Sequence, residues 1–314
     1  GDPRHEWRSY WRELNEAARR TSTDNRARRP IERRKVPLVS GYKVIEECVR
    51  NGWVAGAFNT TNIETTMGIV EAIGRVGVPC FVQVAPTNVV LSGYDYIYDV
   101  VARRLESCEV PVALHLDHGK ALENVRDALA SHFTSIMLDY SAHPYEENVS
   151  ASRRARRWCG RTVSLETELG SIGGKEDDVE PELATMTDPA QARAFVEETG
   201  TDMLAVSVGN VHGYAPDARI DFERLAAVRD ASPAPLVIHG ASGLPDGQLS
   251  RLHEFNVVKV NVASDLRRAM IRVFGEAYAA NPHENALIRV SLESVDAIAD
   301  TVEHRIRVLN PALG

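Results

Sequence analysis

Three histidines are the residues of this chain whose types and positions are best suited to chemistry. His118, His212 and His239 each stand at or just beyond the end of an apolar segment with the composition of a β-strand. Three imidazoles that converge from separate strand ends can hold a divalent metal ion and leave one position open for a substrate. Asp117 lies beside the first of them, where a proton-transfer group would be useful. The pattern predicts a catalytic metal site, best suited to Zn²⁺, for which Co²⁺ or Fe²⁺ could substitute.

Two acidic residues end another apolar segment. In Glu166-Thr167-Glu168 the two carboxylates fall on one face of a strand, because strand side chains alternate with a period of two. They are either salt-bridged acids or part of the surroundings of the metal ion, and the nearby histidines favour the second interpretation. The same alternation places His115 on the opposite face of its strand from His118, as a core residue or one that supports the metal ligands.

Three loop segments have compositions that suit a ligand. Residues 171–178 are glycine-rich and then acidic, which predicts either a mobile surface loop or a lid that carries a general base. Residues 240–243 and 261–265 contain small residues, and the second segment opens a helix. Free backbone N–H groups and a helix N-terminus favour an anion, so these two segments predict a phosphate site.

The elements that must position these residues alternate along the chain. Apolar runs predict eight strands, and amphipathic stretches predict eight helices followed by a last helix at about 293–307. Such a pattern predicts an α/β fold, a (β/α)8 TIM barrel with an extra C-terminal helix, whose active site lies at the C-terminal ends of the strands. The predicted strands are 53–58, 79–85, 111–116, 135–139, 162–168, 203–208, 235–239 and 257–262; the predicted helices are 63–76, 94–107, 121–131, 145–159, 188–199, 221–230, 246–254 and 265–279.

The first 37 residues differ from the rest. They are rich in arginine, and Trp7, Trp11, Leu14 and Ala18 recur at helical spacing. We expect residues 1–37 to form a basic N-terminal arm that is partly helical, and residues 38–314 to form the barrel. A solvated arm, a helix that packs between subunits and an arm that binds a polyanion are all compatible with this composition.

Composition limits the classes of function. The formal net charge of −8 argues against a nucleic-acid partner. No apolar run approaches the roughly 20 residues of a membrane span, and no signal-peptide pattern opens the chain. The four cysteines lack CxxC spacing, which is typical of reduced thiols. We therefore expect a cytoplasmic enzyme with a small-molecule substrate.

Nine short motifs carry a resemblance to a known family. They occupy residues 57–59, 115–119, 133–139, 144–148, 166–170, 173–177, 209–213, 239–243 and 259–262. With these motifs in this order, the chain from Val39 to Leu309 resembles the class II, zinc-dependent fructose-bisphosphate/tagatose-bisphosphate aldolase family.

The resemblance implies a lyase that makes or cleaves a C–C bond through a metal-stabilised enediolate of a ketone donor, such as dihydroxyacetone phosphate. It implies one Zn²⁺ per subunit, a monovalent cation (Na⁺ or K⁺), and a homodimer or homotetramer. Asp117 would transfer the proton of the reacting hydroxyl, and Glu176 would be the base for the donor's α-carbon. The implied metal ligands are His118, His212 and His239, with Glu168 as an alternate or outer ligand; the implied substrate-binding residues are Asn59, Gly213, Gly240, Ser242, Asn261 and Ser264.

The chain departs from the family beside the implied phosphate site. After His212-Gly213 the family usually has an aromatic residue and then a lysine, whereas this chain reads Tyr214-Ala215-Pro216. We therefore expect a specialised ketose or aldehyde substrate rather than fructose 1,6-bisphosphate. Two alternatives stay open: a metal-dependent hydrolase on the same barrel, and a non-catalytic relative that serves as a binding protein. A Schiff base on Lys259 is disfavoured by the histidine cluster.

Overall fold

The computed structural model describes residues 38–90, 92–174, 184–213, 215 and 217–313. The predicted N-terminal arm and the predicted base Glu176 lie outside these residues, so both stay predictions.

Eight parallel strands close into a barrel, which confirms the predicted fold. The strands are β1 Ala55–Asn59, β2 Cys80–Val84, β3 Val112–Gly119, β4 Ser135–Leu138, β5 Ser164–Leu169, β6 Gly173–Gly174, β7 Met203–Val206, β8 Val211–His212, β9 Leu236–Ile238 and β10 Val257–Val262. The order around the barrel is β1-β10-β9-β7-β5-β4-β3-β2, and a separate two-stranded sheet pairs β6 with β8. This small sheet was not predicted, because its strands are only two residues long.

Helices follow the barrel strands, mostly as predicted. The predicted helix 246–254 is instead a four-residue α-helix followed by a 3₁₀ turn at Leu252–Phe255, and the last helix begins at Leu287 rather than near 293. The helices are α1 Gly41–Asn51, α2 Ile63–Val76, α3 Gly93–Leu105, α4 Leu122–Ala130, α5 Tyr145–Cys159, α6 Pro189–Thr199, α7 Phe222–Ala231, α8 Asp246–Leu249, α9 Ser264–Ala280 and α10 Leu287–Leu309; shorter 3₁₀ turns lie at Asn88–Val90, Ala241–Gly243 and Pro311–Leu313. None of these helices combines the length and apolarity that crossing a bilayer requires.

The helix α1 was missed from the sequence, although its ends carry ordinary signals. The Ser40 side chain accepts a hydrogen bond from the first turn, and Gly52 ends the helix in the left-handed conformation. Its buried face is short, and Val44 and Cys48 pack against the residues that fill the barrel interior. Because the chain before α1 pairs with the first residue of β3, α1 covers the N-terminal end of the barrel, opposite the strand ends that carry the polar residues.

Two apolar cores hold the barrel. One fills its interior with small and medium side chains, including Ala57, Phe81, Met137 and Val237. The other lies between the strands and the surrounding helices. Inward-facing positions alternate along each strand, so the last inward residue of a strand lies at the rim. At the C-terminal rim these positions are polar, and they form the site described next.

Candidate metal and catalytic site

The C-terminal rim brings together most of the residues predicted from the sequence. The ligand atoms of His118, His212 and His239 lie within 4.8 Å of one another. His118 ends β3 and His239 follows β9, whereas His212 comes from β8, in the segment that follows β7. His118 and His239 are buried and His212 is half-buried. The three imidazoles thus converge on one point, which is buried on the side of His118 and His239 and more open on the side of His212. An ion that binds a substrate needs such an open side.

His118 reaches this position because β3 is irregular at its end. Its φ angle is +44°, and the register between β3 and β4 shifts between Leu116 and Gly119. Strand alternation alone would place His118 on the opposite face of the strand from His115, and this was the prediction. The turn at His118 overrides the alternation and brings its imidazole into the site. His115 lies below the site, with Nδ1 2.7 Å from Ser135 Oγ. A non-glycine residue at positive φ is uncommon and often marks a functional position.

Two buried carboxylates orient the imidazoles. His118 Nδ1 lies 2.7 Å from Asp139 Oδ2, and His239 Nε2 lies 2.7 Å from Glu166 Oε1. Each carboxylate accepts a hydrogen bond from the N–H at that nitrogen, so the other ring nitrogen presents its lone pair. These two remaining nitrogens, His118 Nε2 and His239 Nδ1, face each other at 2.7 Å. Two lone pairs at this distance repel each other unless a cation lies beside them, so the arrangement fits a bound divalent metal ion.

The charge states of these groups agree with a metal site. Burial, and then the charge of His118, hold the pKa of His239 well below its usual range, so its imidazole is neutral. Burial opposes ionisation of Asp139, but the hydrogen bond from His118, the charge of His118 and then the charge of Lys120 outweigh it and hold the pKa of Asp139 well below its usual range. A neutral imidazole with a carboxylate behind it, as at His239 and Glu166, is the usual form of a histidine that binds a metal ion.

Glu168 lies beside the imidazoles as predicted. Its Oε1 accepts a hydrogen bond from the backbone N–H of Ile172, and its Oε2 has no hydrogen-bond partner among the residues that the structure describes. Burial, and then the negative charge of Asp139, raise the pKa of Glu168 to about 8. A buried carboxylate oxygen without a donor is costly, and a nearby cation would stabilise it.

Asp117 is held by three side-chain amides. Its Oδ2 accepts from Asn59 Nδ2 at 2.8 Å and Gln83 Nε2 at 3.1 Å, and its Oδ1 accepts from Asn261 Nδ2 at 2.9 Å. The same Oδ1 lies 3.9 Å from His118 Nε2. The carboxylate is therefore fixed beside the His118 imidazole, in a position suited to proton exchange with a group bound there.

Lys259 lies beneath the site and is not placed as a nucleophile. Its Nζ lies 3.0 Å from Glu166 Oε2 and donates to Asn261 Oδ1 at 2.6 Å, and the side chain is fully buried. The ammonium thus supports Glu166, which orients His239, and Asn261, which holds Asp117. This arrangement agrees with the prediction that disfavoured a Schiff base.

The predicted anion-binding residues line one small cleft beside the imidazoles. Gly240 begins this cleft with φ of +66°, and a Cβ there would lie 2.2 Å from the carbonyl oxygen of Val211. Ser264 begins the 17-residue helix α9, whose N-terminus carries a partial positive charge. Asp265 in the first turn is neutralised by Arg305 at 2.7 Å. The cleft is lined by His212, Gly213, His239, Gly240, Ser242, Asn261, Ala263 and Ser264.

Some residues of the site were not assigned a role from the sequence. Asp139 was visible as the polar residue that follows β4 at the same rim, and that signal could have identified it. Gln83, on β2, lies inside an otherwise apolar strand, which is the only signal it offers. Lys120, whose Nζ lies 2.7 Å from Asp139 Oδ2, follows the His118-Gly119 turn and carries no pattern that distinguishes it from a surface lysine.

Comparison with known proteins agrees with this geometry. The chain is similar to the YdjI aldolase of Escherichia coli K12 (26% identity, 87% of this chain and 97% of that one, TM-score 0.77) and to a putative fructose-1,6-biphosphate aldolase of Coccidioides immitis (27%, 87% and 97%, TM-score 0.76). A fructose-bisphosphate aldolase of Campylobacter jejuni shares the fold (22%, 87% and 95%, TM-score 0.72). Residues 39–312 match the family described as Fructose-bisphosphate aldolase class-II. The chain therefore belongs to the class II fructose-bisphosphate aldolase family.

Proposed function

We propose that the protein is a zinc-dependent aldolase that makes or cleaves a C–C bond next to the carbonyl of a ketone donor. The observation that carries this proposal is the position of Asp117 beside three converging imidazoles, two of which present lone pairs to each other. Imidazole ligands favour Zn²⁺, with Co²⁺ as a substitute. We infer one such ion per subunit, held by His118, His212 and His239, with Glu168 as an alternate ligand.

The ion, when bound, would act as a Lewis acid that polarises the donor carbonyl and stabilises the negative charge that develops when the neighbouring carbon loses a proton. The residues of the chain do the rest. Asp139 and Glu166 keep the imidazoles in the tautomer that ligation needs. Asp117, aimed by three amides, exchanges the proton of the hydroxyl that the new bond creates or consumes. Asn59 and Asn261, which hold Asp117, are also the residues that we propose for contacts with the donor.

A phosphate on the donor would suit the cleft at the N-terminus of α9. Ser242 and Ser264 lie there with the backbone N–H groups around Gly213 and Gly240, and these groups are well suited to an anion. The backbone around Gly213 and Ser242 is also where we place a monovalent cation, Na⁺ or K⁺. Glu176 remains our candidate for the base that removes the donor's α-proton.

The substrate we propose is a specialised ketose or aldehyde rather than fructose 1,6-bisphosphate. The segment after His212 borders the anion cleft, since a Cβ on Gly243 would lie 2.6 Å from the carbonyl oxygen of Ala215. Ala215 carries no charge, so this part of the segment offers no cation to a donor phosphate. A donor that depends less on that contact fits better.

A homodimer or homotetramer remains our expectation for the assembly. Large apolar side chains are exposed on α9 and α10, at Ile271, Tyr278, Leu287 and Ile288, each at least 63% exposed. Large exposed apolar side chains on neighbouring helices support this expectation.

Hydrogen exchange of the donor tests the function without knowledge of the aldehyde. The protein is loaded with Zn²⁺ and incubated with dihydroxyacetone phosphate in D₂O, and deuterium at the hydroxymethyl carbon is followed by NMR. We expect exchange that stops when a chelator removes the ion and returns when Zn²⁺ is restored. No exchange with a zinc-loaded sample, for this donor and for unphosphorylated dihydroxyacetone, would contradict the proposal.

A further inference from the structure

Among the residues that the structure describes, two sets of potential metal ligands share His118. The first is His118, His212 and His239, and the second is His118, Asp139 and Glu168; in each set the ligand atoms lie within 4.8 Å of one another. Imidazole and carboxylate groups both bind divalent ions. The proposed function uses the first set, which leaves the question of what occupies the second.

Asp139 in the second set already has all the donors it can accept. Its Oδ2 accepts from His118 Nδ1 and from Lys120 Nζ, both at 2.7 Å. Its Oδ1 accepts from Ser141 Oγ at 2.7 Å and from the Ser141 backbone N–H at 3.1 Å. A carboxylate has about four lone-pair sites, so Asp139 has none left for a metal ion.

Lys120 supplies the positive charge at this position. Its side chain is 46% exposed, yet its ammonium reaches a carboxylate that is 1% exposed. The exposed Arg103 on α3 instead pairs with an exposed acid, Glu106, and the two side chains are 80% and 55% exposed. The Lys120 pair thus differs from a surface ion pair, because it neutralises a buried acid that would be costly without a cation.

We propose that the Lys120 ammonium takes the place of a second divalent ion, so that the protein binds one ion per subunit, at the three histidines. This inference rests on the proposed function, because it assumes that the first set of ligands binds a metal ion. It adds that Lys120 determines the number of ions. A neutral residue at position 120 would free one lone pair of Asp139 Oδ2, which together with Glu168 Oε2 would be available to a second ion.

Metal counting tests the inference without reference to turnover. Wild type, Lys120→Ser and Lys120→Met are stripped of metal, reloaded with excess Zn²⁺, dialysed and analysed by mass spectrometry for ions per subunit. Lys120→Arg keeps the charge, and Arg126→Ser removes an exposed charge on α4 that pairs only loosely with Glu123, at 3.8 Å. We expect one ion in wild type, Lys120→Arg and Arg126→Ser, and two in Lys120→Ser and Lys120→Met. Reloading with Mn²⁺ should give an electron paramagnetic resonance spectrum of two coupled ions in those two variants alone.

The outcomes separate the inference from the proposed function. Two ions in wild type, or one ion in both neutral variants, would overturn the inference and leave the function intact. No ion in wild type, together with no chelator-sensitive donor exchange in the same sample, would remove the proposed function and the inference with it.

Discussion

At the scale of single residues, the site depends on how each side chain is held. Asp117 has three amide donors, His118 has Asp139, and His239 has Glu166. A side chain whose partners are fixed loses little entropy when it acts, which is how a preorganised site gains rate. Each of these side chains therefore has one orientation before any ligand arrives.

Replacing Asp117 with Asn should separate the two proton transfers of the proposed reaction. If Asp117 handles the hydroxyl proton, Asp117→Asn should lower the rate of C–C bond cleavage or formation by about 10²- to 10⁴-fold. Deuterium exchange into the donor should persist, because a different base removes the α-proton, and the metal content should stay unchanged. The control is Asp127→Asn, an exposed acid on α4. Equal loss of exchange and turnover would show that Asp117 does not have this role.

At the scale of elements, the turns that follow the strands determine where the side chains point. The positive φ of His118 and the register shift of β3 turn one imidazole into the site. The left-handed conformation of Gly240 directs the chain after His239 against the backbone of β8. The barrel strands therefore bring the ligands to one rim, and one or two backbone angles after each strand set the direction of the side chains.

Replacing Gly240 with Ala should destabilise the protein, because the new Cβ would meet the Val211 carbonyl oxygen at 2.2 Å and the residue would stay at positive φ. We expect a loss of about 1–3 kcal/mol in the free energy of unfolding, measured by urea denaturation, together with weaker metal binding. Gly247→Ala is the matched control, since nothing lies within 4 Å of its Cβ position. The control should be neutral or slightly more stable. Equal stability of both variants would contradict the strained conformation at Gly240.

At the scale of the whole molecule, the end of the chain supports the start of the barrel. Asn310 follows α10, is buried, and bonds both backbone groups of Val54, which precedes β1: it accepts from the N–H at 2.8 Å and donates to the carbonyl oxygen at 3.0 Å. Since β1 carries Asn59 at its other end, the last helix and the site share one strand. Closure of the barrel between β1 and β10 therefore also involves the C-terminal segment.

Replacing Asn310 with Ala should leave two buried backbone groups without partners. We expect a loss of about 2–4 kcal/mol in the free energy of unfolding, with the folded protein still able to bind one metal ion. Asn285→Ala, at an exposed position before α10, should change stability by less than about 0.5 kcal/mol. Urea denaturation of both variants measures the difference; similar midpoints would show that Asn310 does not tie the chain end to β1.

The alternation of strands and helices, and with it the barrel and the rim where the polar residues meet, could be predicted from sequence patterns alone. Strand and helix periods are local, so they can be read from consecutive residues. The three histidines and Asp117 were identifiable because they end apolar runs. The helix α1 and the sheet of β6 and β8 escaped prediction, since a helix with a short buried face and two strands of two residues leave little pattern.

The groups that support the ligands, by contrast, are brought to them by contacts between different strands. Asp139 reaches His118 from the next strand, Glu166 reaches His239 across the barrel interior, and Lys120 reaches Asp139 from the rim. These contacts depend on strand register and on the turn at His118, and the partners of a contact lie up to 73 residues apart. No local pattern records such distances, because a hydrogen bond between two strands depends on how the closed barrel places them and not on either strand alone.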